Sequence, residues 1–319
     1  SPFLLLLAEP SWDRSISLWE LLWEPGSHSD ERVMLMFRKF LIALIISGLL
    51  AVPCFADFRF AVLGDTRDYS SDGINVRVMK AILEKIKAEN VDFIIIIGDM
   101  ITGSTKTDVH RNRLKKWKSI IEKYRIPFYV GVGNHEIESE VSEDIVRSVF
   151  EMPENGPSGL KELIYSFDYK NSHFIMLDTA IFNSFHALGK VQMGWLKEDL
   201  EKNQKKPIFI FGHDPAYPVY SHIGTSLDKY SIQRDELWSL FERHKVRIYF
   251  CGHEHLYNRS IHGDVYQVIT AGGGAHLAAP EEKGGFYNFA VVEVKDDGLA
   301  LIAVKDIKGS VKDIFNIEY

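Results

Sequence analysis

Cysteine is almost absent from this sequence, whose 319 residues include only Cys54 and Cys251. Cys54 lies in an N-terminal segment that we expect to be removed, so we expect no disulfide within the working protein even in an oxidising compartment. Cys251 ends the apolar run Ile248–Cys251. We predict that it is a small buried side chain rather than a nucleophile.

Long basic runs are also missing. Lysine and arginine number 37 against 44 aspartates and glutamates, for a formal charge of −7. This acidic balance gives no sign of binding to a nucleic-acid duplex. With 46% hydrophobic and 25% charged residues, the composition excludes a disordered chain and is typical of a folded globular protein.

The sequence lacks an apolar run long enough to span a membrane. The run Phe40–Val52 falls well short of the roughly 20 apolar residues that a spanning helix needs. It follows the basic segment Met36–Lys39 and precedes the small residues of Pro53–Ala56. This layout predicts a secretory signal peptide over residues 36–56, cut after Ala56, with an uncleaved membrane anchor as the alternative. We therefore expect a periplasmic or secreted protein that contacts a membrane only through an uncleaved signal segment.

Residues 1–35 precede the predicted signal peptide and begin with Ser1 rather than methionine. We interpret them as upstream sequence translated in frame and absent from the working protein; an accessory amphipathic segment is the alternative. Residues 57–319 contain no internal repeat and no low-complexity linker. We predict that they form a single domain.

From residue 57 onward, strand-like apolar runs alternate with helical patterns. Apolar residues recur at helical spacing over 76–86, and the continuous apolar run in 91–97 is typical of a strand buried on both faces. Such alternation predicts parallel strands covered by helices. Residues 163–178 are expected to form a hairpin, and 265–319 antiparallel strands. We predict a mixed α/β domain with two packed sheets and helices outside.

Five of the predicted strands end in a glycine followed by polar residues of the types that bind metals: Gly64-Asp65, Gly98-Asp99, Gly133-Asn134-His135-Glu136, Gly212-His213 and Gly252-His253-Glu254-His255. Each ending alone is explained by a turn, because aspartate and glycine favour turns. The carboxyl ends of strands in open α/β sheets meet at one crevice, so all five together predict a shared site. Carboxylate, amide and imidazole donors suit transition metals such as iron, zinc or manganese.

This series of motifs, GD, GD, GNHE, GH and GHEH, resembles that of the calcineurin-like metallophosphoesterase superfamily, and most closely its purple acid phosphatase branch. The resemblance spans about residues 58–259. It implies a four-layer αββα sandwich, in which two mixed β-sheets are flanked by helices. It also implies a site for two metal ions.

The resemblance assigns a role to each residue of the motifs. Asp99 would bridge both metals, and the first metal would also be bound by Asp65 and His255. The second metal would also be bound by Asn134, His213 and His253. His135 would contact the substrate and protonate its leaving oxygen.

Two positions depart from the pattern of the superfamily. Arg67 stands where most members have a histidine that completes the first metal site, and arginine cannot bind a metal. Thr102 stands where purple acid phosphatases have a tyrosine. We expect Arg67 to bind a substrate phosphate oxygen; the alternative is a structural pair with Asp68 or another carboxylate. We also expect a weaker first metal site.

Two loops between the motifs are expected to shape the substrate pocket. They are Phe182–Val191 and Asp214–Ser231, the second of which carries His222 as a candidate substrate-binding residue. Tyr217 and Tyr220 are further candidates, with ordinary loop packing as the equal alternative. The glycines of Ala271–His276 are expected to bring backbone close to the metals.

The sequence therefore predicts a phosphoric ester hydrolase in which hydroxide bound by two metal ions attacks a small-molecule phosphate ester. Phosphomonoesters are the favoured substrates. A phosphodiesterase acting on nucleotides or lipid head groups is the first alternative. A catalytically weak envelope protein that binds phosphate or metal is the second.

Overall fold

The computed structural model of the chain describes residues 57–204 and 206–319. The predicted upstream segment, residues 1–35, and the predicted signal peptide, residues 36–56, lie outside the described residues. Within the described part, every helix is too short or too polar to cross a membrane. The proposed domain boundaries stay a prediction.

Strands and helices are numbered here along the described chain. The strands are β1 (Phe58–Leu63), β2 (Phe93–Ile97), β3 (Phe128–Gly131), β4 (Tyr165–Tyr169), β5 (Ser172–Met176), β6 (Ile208–Phe211), β7 (Ile248–Cys251), β8 (Tyr257–His262), β9 (Val265–Thr270), β10 (Asn288–Val294), β11 (Ala300–Asp306) and β12 (Val311–Ile317). The α-helices are α1 (Val76–Ala88), α2 (Thr107–Ile121), α3 (Ser142–Val149), α4 (Gly189–Lys202) and α5 (Ser231–Arg243).

The first sheet combines the beginning and the end of the described chain, in the order β12-β11-β10-β1-β2-β3. Strands β1, β2 and β3 run parallel, as the apolar runs and helical crossovers predict. Strand β10 pairs antiparallel with β1, and β11 and β12 extend that antiparallel edge. The carboxyl ends of β1 to β3 therefore lie at one edge of the sheet.

The second sheet has the order β4-β5-β6-β7-β9-β8. The predicted hairpin is confirmed, since β4 pairs antiparallel with β5 and Lys170 at the turn has a φ of 50°. The expectation of antiparallel strands in 265–319 holds for the pairing of β9 with β8, but β9 runs parallel to β7 on its other side. The reason is that the unpredicted strand β8 first reverses the chain direction, and β9 then pairs antiparallel with it.

The two sheets pack face to face around a core rich in phenylalanine. Phe60 and Phe93 of the first sheet stack with ring centroids 5.4 Å apart, and Phe174 of the second sheet lies edge-on to both at 5.2 and 5.3 Å. Helices α1, α2 and α3 cover the outer face of the first sheet, and α4 and α5 cover that of the second. The predicted four-layer αββα sandwich is confirmed.

Helix α1 illustrates how the sequence produces an outer layer. The side chain of Asn75 accepts a hydrogen bond from the backbone N–H of Val78 at 3.3 Å and caps the helix. The residues that the helix buries recur at three- and four-residue intervals: Val78, Met79, Ile82, Leu83 and Ile86. This packing fixes the loop between β1 and α1, which carries the first motif.

Candidate metal centre

Unusual backbone conformations occur at the strand ends that carry the motifs. Asp65, Asp99, His253 and His255 have φ angles of 58°, 51°, 70° and 50°. The left-handed region costs a non-glycine residue on the order of 1 kcal/mol or more and is enriched at functional sites. All four side chains are buried. The fold therefore maintains strained positions at the edge where the sheet carboxyl ends meet.

Four acceptor atoms converge at this edge. Nε2 of His213 lies 3.2 Å from Oδ1 of Asn134, 3.2 Å from Nδ1 of His253 and 3.4 Å from Oδ1 of Asp99. We call these four residues the acceptor cluster. They come from the ends of β2, β3, β6 and β7, as the sequence predicted.

The tautomers of the two histidines follow from their backbone partners. Nδ1 of His213 lies 3.0 Å from the carbonyl oxygen of Ile97, and Nε2 of His253 lies 3.0 Å from that of Thr225. A carbonyl oxygen only accepts hydrogen bonds, so each of these nitrogens carries a proton. In the neutral imidazole, the form that binds metals, the opposite nitrogens then present lone pairs to the cluster. Two imidazole nitrogens and two oxygens face one another with no donor among these atoms, an arrangement that fits a transition-metal ion.

The three residues predicted for the first metal are arranged differently. Oδ1 of Asp65 lies 3.6 Å from Nε2 of His255. Nε of Arg67 donates to Oδ2 of Asp99 at 3.0 Å, and a terminal nitrogen of the same guanidinium lies 3.3 Å from Nε2 of His255. Arg67 thus forms a structural ion pair with a carboxylate, which was the alternative to phosphate binding. The partner is Asp99 rather than Asp68. Asp68 instead accepts from the backbone N–H of Ser70 at 2.9 Å.

These buried groups shift the pKa values of one another. Burial, reinforced by the neighbouring Asp99, raises the pKa of Asp65 well above its usual range. Burial alone would raise the pKa of Asp99, but His213, His135 and Arg67 lower it below its usual value. Burial also lowers the pKa of His253 to about 3 and that of His255, which faces Arg67, to about 4. Both imidazoles are therefore neutral near pH 7, the form that binds metals.

The two histidines predicted to contact substrate lie beside the acceptor cluster. The backbone N–H of His135 donates to Oδ1 of Asp99 at 3.1 Å. Its buried Nδ1 has no hydrogen-bond partner among the described residues and lies 3.7 Å from a carboxylate oxygen of Glu138. The ring of His222 lies 3.9 Å from that of His253. Burial lowers the pKa of both His135 and His222.

Thr102 does not supply a substitute for the missing tyrosine. Its hydroxyl donates to the backbone carbonyl of Asp68, so its side chain ties two loops together. Its own carbonyl accepts from Arg113 at 2.7 Å.

The glycine-rich segment 271–276 brings backbone next to the first motif. The N–H of Gly273 donates to the carbonyl of Gly64 at 3.0 Å, and that of Ala275 to the carbonyl of Asp65 at 2.8 Å. A Cβ atom on Gly273 would lie 2.1 Å from the Gly64 carbonyl oxygen. The carbonyl of His276 lies 3.0 Å from Nδ1 of His255. This segment therefore supports Asp65 and orients His255.

Two glutamates inside the motifs have structural functions that the sequence reading did not assign. The buried carboxylate of Glu136 accepts from the backbone N–H groups of Asp99, Ile101 and Gly133 at 2.8, 3.2 and 2.9 Å. Glu254 accepts from the N–H of His222 at 2.9 Å. In the sequence, each glutamate directly follows a histidine of its motif, and this position could have identified it as part of the site.

The site also contains Asp214 and His186, which were not among the predicted site residues. Nδ1 of His186 lies 2.8 Å from Oδ2 of Asp214, whose Oδ1 has no hydrogen-bond partner among the described residues and lies 3.9 Å from Nδ1 of His253. Both belong to the loops expected to shape the pocket. Tyr217 turns away instead, because its ring stacks on that of His262 at 3.6 Å.

A four-layer sandwich with carboxylate, amide and imidazole groups gathered at its strand ends is typical of metallophosphoesterases. The sequence model of the family "Calcineurin-like phosphoesterase" matches residues 58–257. The chain belongs to this family.

Curated acid phosphatases, including a purple acid phosphatase, are among the relatives that the chain resembles. "Purple acid phosphatase 23" of Arabidopsis thaliana is 30% identical over 183 residues, which cover 52% of this chain and 39% of that protein. "Tartrate-resistant acid phosphatase type 5" of Sus scrofa is 28% identical over 200 residues, which cover 55% of this chain and 56% of that protein. The chain therefore spans only about half the length of these relatives, or less.

Solved structures share the fold. The purple acid phosphatase PPD1 from yellow lupin (Lupinus luteus) superposes with a TM-score of 0.66 at 21% identity, over 82% of this chain and 54% of that chain. GAP50, described as the anchor in the inner membrane complex of Plasmodium, gives a TM-score of 0.61 at 18% identity, over 82% of this chain and 89% of that chain.

Proposed function

We propose that the protein is a metal-dependent phosphomonoesterase whose substrates are small-molecule phosphate esters. The observation that carries this proposal is the acceptor cluster. Nε2 of His213 lies 3.2 Å from Oδ1 of Asn134, 3.2 Å from Nδ1 of His253 and 3.4 Å from Oδ1 of Asp99. Such atoms repel one another unless a cation lies between them. The family match and the phosphatase relatives support the same reaction class.

The acceptor cluster would hold an iron, zinc or manganese ion, whose identity the donor set does not distinguish. When bound, such an ion lowers the pKa of a water ligand and neutralises charge on the phosphate. Asp99, Asn134, His213 and His253 fix its position. Glu136 fixes the backbone of Asp99 through the hydrogen bond described above.

His135 and His222 bind the phosphate ester next to the cluster. In this proposal the imidazole of His135, whose backbone N–H donates to Asp99 of the cluster, donates a proton to the leaving oxygen. His222 orients the phosphate, and Glu254 keeps its loop in place. Burial lowers the pKa of both imidazoles, so we expect the protonated forms to be populated mainly at acidic pH.

The test is an assay of the purified full chain loaded separately with iron, zinc or manganese. We expect hydrolysis of p-nitrophenyl phosphate with a higher kcat/KM than bis(p-nitrophenyl) phosphate. Faster hydrolysis of the diester would support the phosphodiesterase alternative. Absence of turnover with every metal, together with binding of inorganic phosphate, would support the envelope binding protein and reject an enzyme.

We further propose that the protein acts in the periplasm or outside the cell. The basic, apolar and small-residue segments within 36–56 support this location. Mass spectrometry of the protein recovered from its native compartment should give an N-terminus at Asp57. Recovery of residues 40–52 in the mature protein would instead indicate an uncleaved anchor.

A further inference from the structure

We infer that the guanidinium of Arg67 occupies the place of the first metal ion, so that the centre holds a single metal ion beside a permanent side-chain cation. The inference rests on the metal centre of the proposed function, but not on turnover or on the substrate. It differs from the two-metal arrangement that the family resemblance implies.

The lone pair of His255 is the first observation. Nδ1 of His255 lies 3.0 Å from the carbonyl oxygen of His276, so this nitrogen carries the proton. Nε2 therefore has a single lone pair, and a terminal N–H of Arg67 lies 3.3 Å from it. One lone pair binds either a metal ion or this N–H. In the structure it faces the guanidinium.

The two oxygens of Asp99 are the second observation. Oδ1 lies 3.4 Å from Nε2 of His213 and belongs to the acceptor cluster. Oδ2 accepts from Nε of Arg67 at 3.0 Å. One oxygen therefore faces the acceptor cluster and the other faces the guanidinium.

Arg67 is held in this position from several sides. Its backbone N–H donates to the carbonyl of Asp99 at 3.2 Å, and its backbone forms a bridge with Ile74. The ring of Tyr69 lies 5.7 Å from the guanidinium carbon. The residue is only 8% exposed. A long side chain anchored in this way is not displaced as readily as one free in solvent.

Charge balance is consistent with this position. Asp99 is buried, and a buried carboxylate charge requires a nearby cation. The guanidinium supplies one positive charge that cannot dissociate and cannot be deprotonated near pH 7. It can neutralise phosphate charge, but unlike a metal ion it has no open coordination position for water. Activation of water would then depend on the ion in the acceptor cluster alone.

The experiment measures metal content rather than activity. The purified full chain and its variants are saturated with Mn(II) or Zn(II), desalted, and analysed by plasma mass spectrometry. We expect about one ion per chain in the wild type and about two in Arg67→Ala and Arg67→His, because Oδ2 of Asp99 and Nε2 of His255 then become available beside Asp65. Mn(II) electron paramagnetic resonance should show an isolated ion in the wild type and exchange-coupled ions in these variants.

Two matched histidine variants complete the design. His255→Ala should leave the wild-type content at one ion, whereas His253→Ala should reduce it well below one. Two ions in the wild type, or a loss of one ion in His255→Ala, would overturn the inference. A folded Arg67→His variant that still binds one ion would also overturn it, with circular dichroism as the check on folding. One bound ion without phosphatase turnover would reject the proposed function and leave this inference intact.

Discussion

The carboxylate of Glu136 accepts a hydrogen bond from the backbone N–H of Asp99 at 2.8 Å. Asp99 has a φ of 51°, in the left-handed region that is unfavourable for aspartate. Glu136 is completely buried, and burial together with the charge of Asp99 raises its pKa to about 8. A costly buried group thus stabilises a strained residue of the acceptor cluster.

Replacement of this carboxylate should weaken both the fold and the metal centre. We expect Glu136→Ala to lower the free energy of unfolding by about 3 kcal/mol, because three backbone N–H groups lose their acceptor. We expect metal affinity to fall about 10- to 100-fold, as for other groups that orient metal ligands. Urea denaturation and chelator competition measure the two effects. Glu140 is exposed, so Glu140→Ala is the control. Equal losses of stability and metal affinity in both variants would contradict the prediction.

Gly98 should not tolerate a side chain. Its φ is +89°, and a Cβ would lie 2.5 Å from the backbone nitrogen of Gly133. We expect Gly98→Ala to lower the free energy of unfolding by about 3 kcal/mol, from strain and overpacking together. Gly189 also has a positive φ, of +66°, but has open space where a Cβ would lie. Gly189→Ala should cost only about 1 kcal/mol. Urea denaturation of both variants separates the clash from the φ penalty.

His135 should contribute to turnover rather than to metal binding. We expect His135→Ala to lower kcat about 100-fold, the effect of losing one general acid, with unchanged metal content. His244, the C-cap of α5, provides the control His244→Ala, which should retain wild-type kcat and metal content. A parallel loss of metal in His135→Ala would show that the residue supports the acceptor cluster instead.

Asp178 should make stability depend on pH. Burial raises its pKa to about 7, above the ordinary value of 3.8, and its Oδ2 has no hydrogen-bond partner among the described residues. Between pH 4 and 7 the carboxyl of Asp178 is deprotonated in the unfolded chain but stays protonated in the folded chain. The contribution of Asp178 to stability is therefore present below pH 4 and is lost as pH rises through 7.

The isosteric variant Asp178→Asn removes this dependence. Its Oδ1 can still accept from the backbone N–H of Ala180. We expect the difference in unfolding free energy between variant and wild type to change by about 2 kcal/mol in favour of the variant from pH 5 to pH 8. Urea denaturation at both pH values measures it. A difference that does not change with pH would reject the raised pKa as its cause.

Much of the fold follows from local patterns that the sequence contains. Continuous apolar runs such as 93–97 have no polar face, so they are buried in a parallel sheet between layers. The position of β9 could not be read in this way. Its almost continuous burial is compatible with either direction, and its pairing with β7 depends on where β8 reverses the chain.

The residue types at the strand ends could be predicted without the structure, because glycine followed by aspartate, asparagine or histidine is a local signal. Tertiary structure decided their partners. Only the folded chain brings Arg67 within 3.0 Å of Asp99 and 3.3 Å of His255, residues 32 and 188 positions away. The physical reason is that a flexible arginine side chain can reach several carboxylates, and packing of the surrounding loops selects which one it binds.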